Sequence, residues 1–199
     1  MMNTVTHITL SGLQLRILKL TDAVALQQLL AENKEHMLPH IAWAVKEPET
    51  VEEKQKTIRE WLSEFYSDRK YCYGIFEEQT QLLVGLAFLF TRQGENILEI
   101  GYLIDYRHWG KGYATACSYA LTKLSFELLK IDEVVIICSS LNKASAKIPE
   151  KLGYKLEYTY RSSSRDTQNK RIVNLVWALF IEEFVPKTQY EPISFSSSD

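Results

Sequence analysis

The 199-residue sequence predicts one α+β domain built around a mixed β-sheet. Three apolar segments follow one another at Tyr71–Phe76, Leu82–Phe90 and Ile97–Ile104, and the polar stretches EEQTQ and TRQGEN separate them. This pattern predicts an antiparallel meander. A helical pattern over about 113–129 then leads to a β-branched segment at 133–139, which predicts a parallel crossover. Both kinds of pairing in one chain make the sheet mixed.

The elements before the meander are a strand and two helices. Apolar residues alternate from Leu13 to Leu18, as in a strand, and Thr21 then offers a cap for the first helix. The second helix begins at Thr50-Val51-Glu52-Glu53, a capping box in which threonine and glutamate satisfy each other's free backbone donors. Its apolar face follows at helical spacing and predicts a core position for Ile58, Trp61, Leu62 and Phe65.

The elements after the crossover strand are a helix and two strands. The helix begins at Lys143 and ends at Gly153, and the strands at 154–161 and 171–180 are joined by the polar loop SSSRDTQNK. These elements place the domain at residues 13–181. Residues 1–12 are then an N-terminal extension, and the polar, Ser-rich residues 182–199 are predicted to form a mobile tail.

Composition excludes several classes of function. The net charge is −2 with both signs interspersed, which argues against a broad nucleic-acid-binding face. The longest apolar run, Leu82–Phe90, is far shorter than the about 20 residues that a membrane helix needs. The first twenty residues lack the basic and apolar regions of a secretion signal, so we expect a cytoplasmic protein without a membrane partner.

The distribution of cysteine and histidine argues against a metal site. Cys72, Cys117 and Cys138 are far apart and form no CxxC pair, so we expect reduced thiols and no disulfide framework. His36 and His40 have the i, i+4 spacing of a zinc pair, but a proline lies between them and no HExxH glutamate is present. We therefore expect no metal.

The segment Ile104-Asp105-Tyr106-Arg107-His108-Trp109-Gly110-Lys111-Gly112-Tyr113-Ala114-Thr115 joins a strand to a helix through two glycines. The first turn of a helix has free N–H groups and a positive dipole end, which favour a bound diphosphate. Glycine permits positive φ and leaves space for the phosphates, while Arg107 and Lys111 could add charge. The alternative is an ordinary turn that uses glycine only for its geometry.

Two other phosphate motifs do not fit this segment. A P-loop requires GxxxxGK[ST], but Lys111 is followed by Gly112 without that spacing or the hydroxyl. A dinucleotide fingerprint requires glycine or alanine where Thr115 stands, and an acidic residue after the next strand, where Ser139 and Ser140 stand.

The motif Arg107-x-x-Gly110-x-Gly112, after a strand and at the start of a helix, resembles the acetyl-CoA motif [RQ]-x-x-G-x-[GA] of the GNAT (GCN5-related) N-acetyltransferases. Three further segments resemble the RimJ/RimL branch of that family, which acetylates protein N-termini. They are Glu99-Ile100-Gly101-Tyr102-Leu103-Ile104-Asp105, Asn142-x-x-Ser145-x-x-x-x-Lys151-Leu152-Gly153-Tyr154 and Asn33-x-x-His36-x-x-Pro39-x-x-Ala42-Trp43. The resemblance covers residues 13–181.

The resemblance implies the GNAT fold, a mixed sheet of about six to seven strands flanked by about four helices. Two parallel strands, 97–104 and 133–139, would splay apart and form the acetyl-CoA cleft between them. The residues implied in cofactor binding are Leu103, Ile104, Arg107, His108, Trp109, Gly110, Lys111, Gly112, Tyr113, Ala114, Thr115 and Asn142.

The resemblance also implies catalytic and acceptor residues. Ser145 would lie near the cofactor sulfur, and Pro149 stands where many relatives have a proton-donating tyrosine, so Ser145 or water must supply that proton. Glu99 is the candidate base, with a solvated strand carboxylate as its alternative. His36, His40 and Trp43 are expected to border the acceptor.

The acceptor class remains open at the level of sequence. The RimJ/RimL resemblance favours the N-terminus of a ribosomal or other protein, but the cofactor motif is compatible with a small amine such as a polyamine or an aminoglycoside. An inert CoA-binding regulatory module is the alternative from another class. We expect this protein to be a monomer or a homodimer.

Overall fold

The computed structural model describes residues 5–91, 96–165 and 169–197. Its helices are α1 (Ala23–Glu32), α2 (Lys34–Met37), α3 (Val51–Tyr66), α4 (Tyr113–Glu127) and α5 (Lys143–Leu152). Its strands are β1 (His7–Leu10), β2 (Leu13–Ile17), β3 (Lys70–Glu77), β4 (Leu83–Thr91), β5 (Ile97–Ile104), β6 (Glu133–Ser139), β7 (Lys155–Arg165), β8 (Arg171–Phe180) and β9 (Ser194–Ser196). The described strands form a single sheet in the order β7-β8-β6-β5-β4-β3-β2-β1-β9.

The α+β class and the mixed sheet are confirmed. Strands β3, β4 and β5 pair antiparallel as a meander, and β5 pairs parallel with β6 after the crossover through α4. The capping box of α3 is present, because the Thr50 hydroxyl accepts from the Glu53 N–H and the Glu53 carboxylate accepts from the Thr50 N–H. The predicted turn at 91–96 lies partly outside the described residues.

The sheet is larger than predicted because both chain ends join it. Strand β1 lies in the predicted extension and pairs with β2, so the predicted boundary at residue 13 cuts a hairpin. Strand β9 pairs with β1, and the Lys187 N–H donates to the Tyr119 hydroxyl at 2.7 Å. The expectation of a mobile tail is therefore wrong for residues 182–197. Tyr190, Ile193 and Phe195 pack against the core and hold this polar segment in place.

The sheet has a buried core on each face. Helices α1 and α3 cover one face, where Leu26 and Ile58 pack with Leu103 of β5. The other face packs against α4, where Leu121 meets Ile100 of β5. Successive side chains of a strand point to opposite faces. Residues 99, 101 and 103 of β5 therefore face α1 and α3, and residues 98, 100, 102 and 104 face α4.

Strands β5 and β6 separate partway along their length. Their parallel ladder joins Ile97–Ile100 to Glu133–Ile136. Beyond it, β5 stays paired with β4 through Ile104, and β6 stays paired with β8 through Ser139. The two strands thus keep their outer neighbours and form a wedge-shaped gap between them. Within the described ranges no helix is long and apolar enough to cross a membrane.

Candidate active site

The backbone of β5 borders the gap. The Leu103 carbonyl lies against Gly85 of β4 so closely that a Cβ there would collide with it, and the Asp105 N–H donates to Val84 at 2.9 Å. Backbone groups of a strand alternate in direction, so those of Tyr102 and Ile104 face the gap instead. Leu103 uses its backbone within the sheet, and its part in cofactor binding stays a prediction.

The two-glycine turn opens into free space at the end of the gap. Gly110 and Gly112 have φ of +78° and +82°, and a Cβ on either would meet no atom within 4 Å. The Ala116 N–H bonds to the Gly112 carbonyl at 3.0 Å as the first bond of α4, which leaves the N–H groups of residues 113–115 without a partner in the helix. Glycine here provides the backbone conformation, and the helix end provides donors for an anion.

A buried carboxylate holds this turn in place. Asp105 is fully buried and accepts from the Arg107 N–H at 3.1 Å and from the Arg107 guanidinium at 2.6 to 3.1 Å. The Asn33 amide donates to Asp105 at 3.4 Å, and its oxygen accepts from the Tyr106 N–H at 2.8 Å. Burial alone would raise the pKa of Asp105, but these hydrogen bonds outweigh it and lower that pKa.

The Arg107 side chain belongs to this anchor. Its guanidinium also pairs with Glu32 at the end of α1, at 2.6 Å, and its hydrogen bond to Asp105 raises its pKa. Two carboxylates therefore neutralise the charge that the sequence assigned to a phosphate. Lys111 is the other cation of the motif, and its half-exposed ammonium lies 3.5 Å from Glu77.

Other side chains of the motif also point into the scaffold. His108 is buried between Glu77 and Asp105, with nitrogen-to-oxygen distances of 3.5 and 3.6 Å. The Tyr113 hydroxyl donates to Glu77 at 2.8 Å, which is the main reason that the pKa of Glu77 is lowered. Trp109 donates its indole N–H to the Ile104 carbonyl at 2.9 Å, while 59% of the residue is exposed. Backbone rather than side chains therefore faces the open space.

Ser145 lies at the gap, in the first turn of α5. Asn142 caps this helix, because its side-chain oxygen accepts from the Ser145 N–H at 3.0 Å. The Ser145 hydroxyl is 2.9 Å from the hydroxyl of Tyr102 on β5. Burial raises the pKa of the Cys138 thiol on β6. A serine and a tyrosine hydroxyl thus meet beside the point where the strands part.

Glu99 lies on the opposite face of the sheet from this hydroxyl pair. It pairs with Phe90 of β4 and Val135 of β6, one residue before the ladder ends, and it is partly buried. Alternation along β5 directs its side chain toward α1 and α3, whereas Tyr102 faces α4 and α5. The two candidate catalytic residues therefore approach the gap from opposite sides.

The predicted acceptor residues are distributed unevenly. His36 is next to the cofactor motif, with its ring 4.6 Å from that of Tyr106 and 5.1 Å from that of Trp109, measured between centroids. His40 and Trp43 lie farther along the connection to α3, and both have exposed side chains. In the described ranges no group of three His, Cys, Asp or Glu residues could hold a metal ion.

Two structural residues of the site carry little signal in the sequence. Tyr102 was seen only as part of a resembling segment, and its hydroxyl contact with Ser145 joins residues 43 positions apart. Asn33 likewise reaches Tyr106 across 73 positions. The available signal is period-two alternation, which puts Tyr102 on the same strand face as Ile100 and Ile104.

The sequence and the fold match known proteins. Residues 13–155 match the family model described as "Acetyltransferase (GNAT) domain". The protein named "Probable N-acetyltransferase YjcK" from Bacillus subtilis (strain 168) is 28% identical over 164 residues, which cover 81% of this chain and 87% of that protein.

Two solved structures share the fold at low sequence identity. One is RimL, a ribosomal L7/L12 α-N-protein acetyltransferase in complex with coenzyme A, with a TM-score of 0.78 and 22% identity over 87% of this chain and 96% of that one. The other is the microcin C7 self-immunity acetyltransferase MccE in complex with acetyl-CoA and AMP. Its TM-score is 0.77, with 18% identity over 85% of this chain and 92% of that one.

Proposed function

This chain belongs to the GNAT acetyltransferase family and uses acetyl-CoA, and we propose that it acetylates the α-amine at the N-terminus of a protein. The observation that carries acetyl transfer is the combination of the gap between β5 and β6 with the glycine turn at its end. Similarity to the ribosomal-protein acetyltransferase RimL supports the acceptor class, and a cytoplasmic location belongs to the same proposal.

The turn and the gap fit the two ends of acetyl-CoA. The free N–H groups of residues 113–115 and the open space over Gly110 and Gly112 suit its diphosphate. Lys111 is exposed and adds charge at the same place. The gap-facing backbone of Tyr102 and the N–H of Ile104 suit the amides of the pantetheine arm, and backbone donors there can polarise the thioester carbonyl.

The chemistry is direct attack of a neutral amine on the thioester, and no covalent enzyme intermediate is needed. An ammonium has no lone pair, so a base must first take its proton, and Glu99 on the α1/α3 face is the residue proposed for this step. Ser145, on the α5 face, donates a proton to the departing sulfur. Most of the rate enhancement then comes from holding the two reactants together.

The surface next to the cofactor turn suits a peptide acceptor. Trp109 is 59% exposed, and His36 packs against it beside the glycine turn. Trp43 lies farther along the connection to α3 and is 41% exposed. Exposed aromatic groups provide contact area for several residues of an extended chain. A small amine would instead favour an enclosed acidic pocket.

The acceptor class is tested by offering the protein acetyl-CoA with a library of N-terminal peptides and, separately, a panel of polyamines and aminoglycosides. Acetylated products are identified by mass. We expect acetylation of peptide α-amines. Acetylation confined to the small amines would overturn the acceptor proposal, and tight binding of CoA without turnover on either panel would indicate a regulatory module.

The cofactor site is tested separately by thermal unfolding. A ligand that binds only the native state raises the melting temperature, so acetyl-CoA should raise it more than equal concentrations of NAD or ATP. Equal shifts for the three ligands would contradict the assignment of the glycine turn to acetyl-CoA.

A further inference from the structure

The Tyr102 hydroxyl contacts Ser145 twice. It lies 2.9 Å from the serine hydroxyl and donates to the serine carbonyl at 3.2 Å. In an α-helix the carbonyl of residue 145 would accept from the N–H of residue 149. Residue 149 is a proline inside α5 and has no N–H. Pro149 therefore frees the Ser145 carbonyl, and the phenol of Tyr102 supplies a donor in place of the missing amide.

The surroundings of Tyr102 keep it a hydrogen-bond donor. Burial raises the pKa of this phenol, against a smaller opposite effect of Ser145, so it stays protonated at neutral pH. It sits on β5 two residues beyond the last pair of the β5–β6 ladder. Its hydroxyl thus reaches Ser145 from the wall of the gap in which the thioester is proposed to lie.

We propose that Tyr102 positions Ser145 by sharing its single proton between the serine carbonyl and the serine hydroxyl oxygen as a three-centre hydrogen bond, which directs the serine proton into the gap toward the departing sulfur. This inference rests on the proposed role of Ser145. When the carbon–sulfur bond breaks, its electron pair stays on sulfur, and sulfur takes the serine proton. The serine oxygen regains a proton that the amine nitrogen released, through solvent, and the phenol remains protonated throughout.

The arrangement gives one hydroxyl two tasks that separate experimentally. The bond to the Ser145 carbonyl satisfies a backbone group and contributes to stability. The bond to the serine hydroxyl orients the proton and stabilises the oxygen while negative charge develops on it, so it contributes to the rate of the chemical step. A tyrosine with a purely structural role would affect only the stability and not the rate of the chemical step.

The test is a double-mutant cycle with Tyr102→Phe and Ser145→Ala, measured in single-turnover reactions with acetyl-CoA and an amine that the protein acetylates. We expect Tyr102→Phe to lower the rate roughly threefold to tenfold, the value of one neutral hydrogen bond, with little change in KM for acetyl-CoA. Ser145→Ala should lower it by at most roughly 100-fold. In the Ser145→Ala background, Tyr102→Phe should have no further effect on the rate.

The matched control is Tyr73→Phe. It also removes a buried tyrosine hydroxyl, which donates to the Val5 carbonyl at 2.8 Å from β3, two strands away from β5, and it should leave the single-turnover rate unchanged. A wild-type rate for Ser145→Ala would overturn the acid assignment and the inference together. A slow Ser145→Ala with a wild-type Tyr102→Phe, or effects that multiply in the double variant, would overturn the positioning role alone.

Pro149→Ala separates the two tasks. The new N–H satisfies the Ser145 carbonyl, so the stability cost of Tyr102→Phe in urea unfolding should be smaller in this background than in the wild type. The effect of Tyr102→Phe on the rate should persist, because it acts through the serine hydroxyl. If Tyr102→Phe costs as much stability in the Pro149→Ala background as in the wild type, the phenol does not replace the missing amide donor. If Tyr102→Phe no longer lowers the rate in that background, Tyr102 does not position Ser145.

Discussion

Two irregular segments carry residues that the sequence predicts for the site, and each is tied down by a buried carboxylate. In residues 105–112, Asp105 binds the backbone and side chain of Arg107 within the same turn. In residues 38–49, Glu47 pairs with Lys54 of α3, and both side chains are buried. The first segment is proposed to present backbone donors to the cofactor. The second presents exposed side chains such as those of Trp43 and Val45.

This difference explains why the sequence contains a motif for the cofactor side of the site but none for the acceptor side. Few residue types fit a turn that has positive φ at two positions and is followed directly by a helix. The conformation of the turn therefore produces a recognisable sequence motif. An exposed loop that binds through side chains admits many residue types. The cofactor side could be read from Gly110 and Gly112, whereas the acceptor side was named only by resemblance.

The segment 38–49, proposed for the acceptor side, should depend on its ion pair more strongly than the cofactor turn depends on any single group. Lys54→Met should lower the free energy of unfolding by about 3 to 5 kcal/mol, because it leaves the buried Glu47 carboxylate without its partner. Urea unfolding measures this loss. In whatever protein still folds, KM for the amine acceptor should rise more than KM for acetyl-CoA.

The matched control adds Glu47→Leu to Lys54→Met. Removing both charges avoids the unpaired carboxylate, so most of the lost stability should return. A double variant as unstable as Lys54→Met would show that packing of the lysine stem, rather than the charge pair, fixes this segment. Equal effects on the two KM values would contradict the assignment of residues 38–49 to the acceptor side.

The cofactor turn should be broken by one side chain. Gly112→Val strains a position with φ of +82° and fills the open space proposed for the diphosphate. Strain and lost charge-assisted hydrogen bonds together should weaken acetyl-CoA binding by roughly 100-fold or more in calorimetry. Circular dichroism must show a native fold for the variant.

Gly153→Val is the matched control for that change. Gly153 also has positive φ, +95°, with open space around its Cβ direction, but it lies at the opposite end of α5 from Ser145. The Gly153→Val variant should lose about as much stability as Gly112→Val and keep the wild-type affinity for acetyl-CoA. Wild-type affinity in a folded Gly112→Val variant would contradict the role of the turn.

The sequence predicted most of the elements but not their connections across the chain. Amphipathic periodicity and the capping box located α3. Apolar runs between polar stretches located β3 to β5, and a β-branched run located β6, because these signals are local. The sequence predicts that Arg107 adds charge at a phosphate, but it contains no signal for the ion pairs of the Arg107 guanidinium with Asp105 and Glu32. Strand β9 was missed since its short, polar sequence becomes a strand only through pairing with β1.

The smallest expected effect concerns acid. The pKa of Asp105 is lowered in the folded protein, so its contribution to stability is complete above the ordinary value of 3.8 and is lost as the pH falls through the folded pKa. Asp105→Asn should therefore lower the free energy of unfolding by about 1 to 2 kcal/mol at pH 7. The difference in unfolding free energy between the variant and the wild type should become smaller below about pH 4. Urea midpoints from pH 7 to 3 measure this.

Asp22→Asn distinguishes the anchoring of the turn from stability in general. Asp22 accepts two hydrogen bonds from Arg16 at 2.8 and 2.9 Å, and its pKa is also lowered, because these bonds outweigh its burial. For both variants, the difference in unfolding free energy from the wild type should therefore become smaller in acid. Only Asp105→Asn should raise KM for acetyl-CoA, because only Asp105 holds the backbone of the glycine turn. An equal rise in both would mean that the turn responds to overall stability, and that its buried carboxylate has no specific part in cofactor binding.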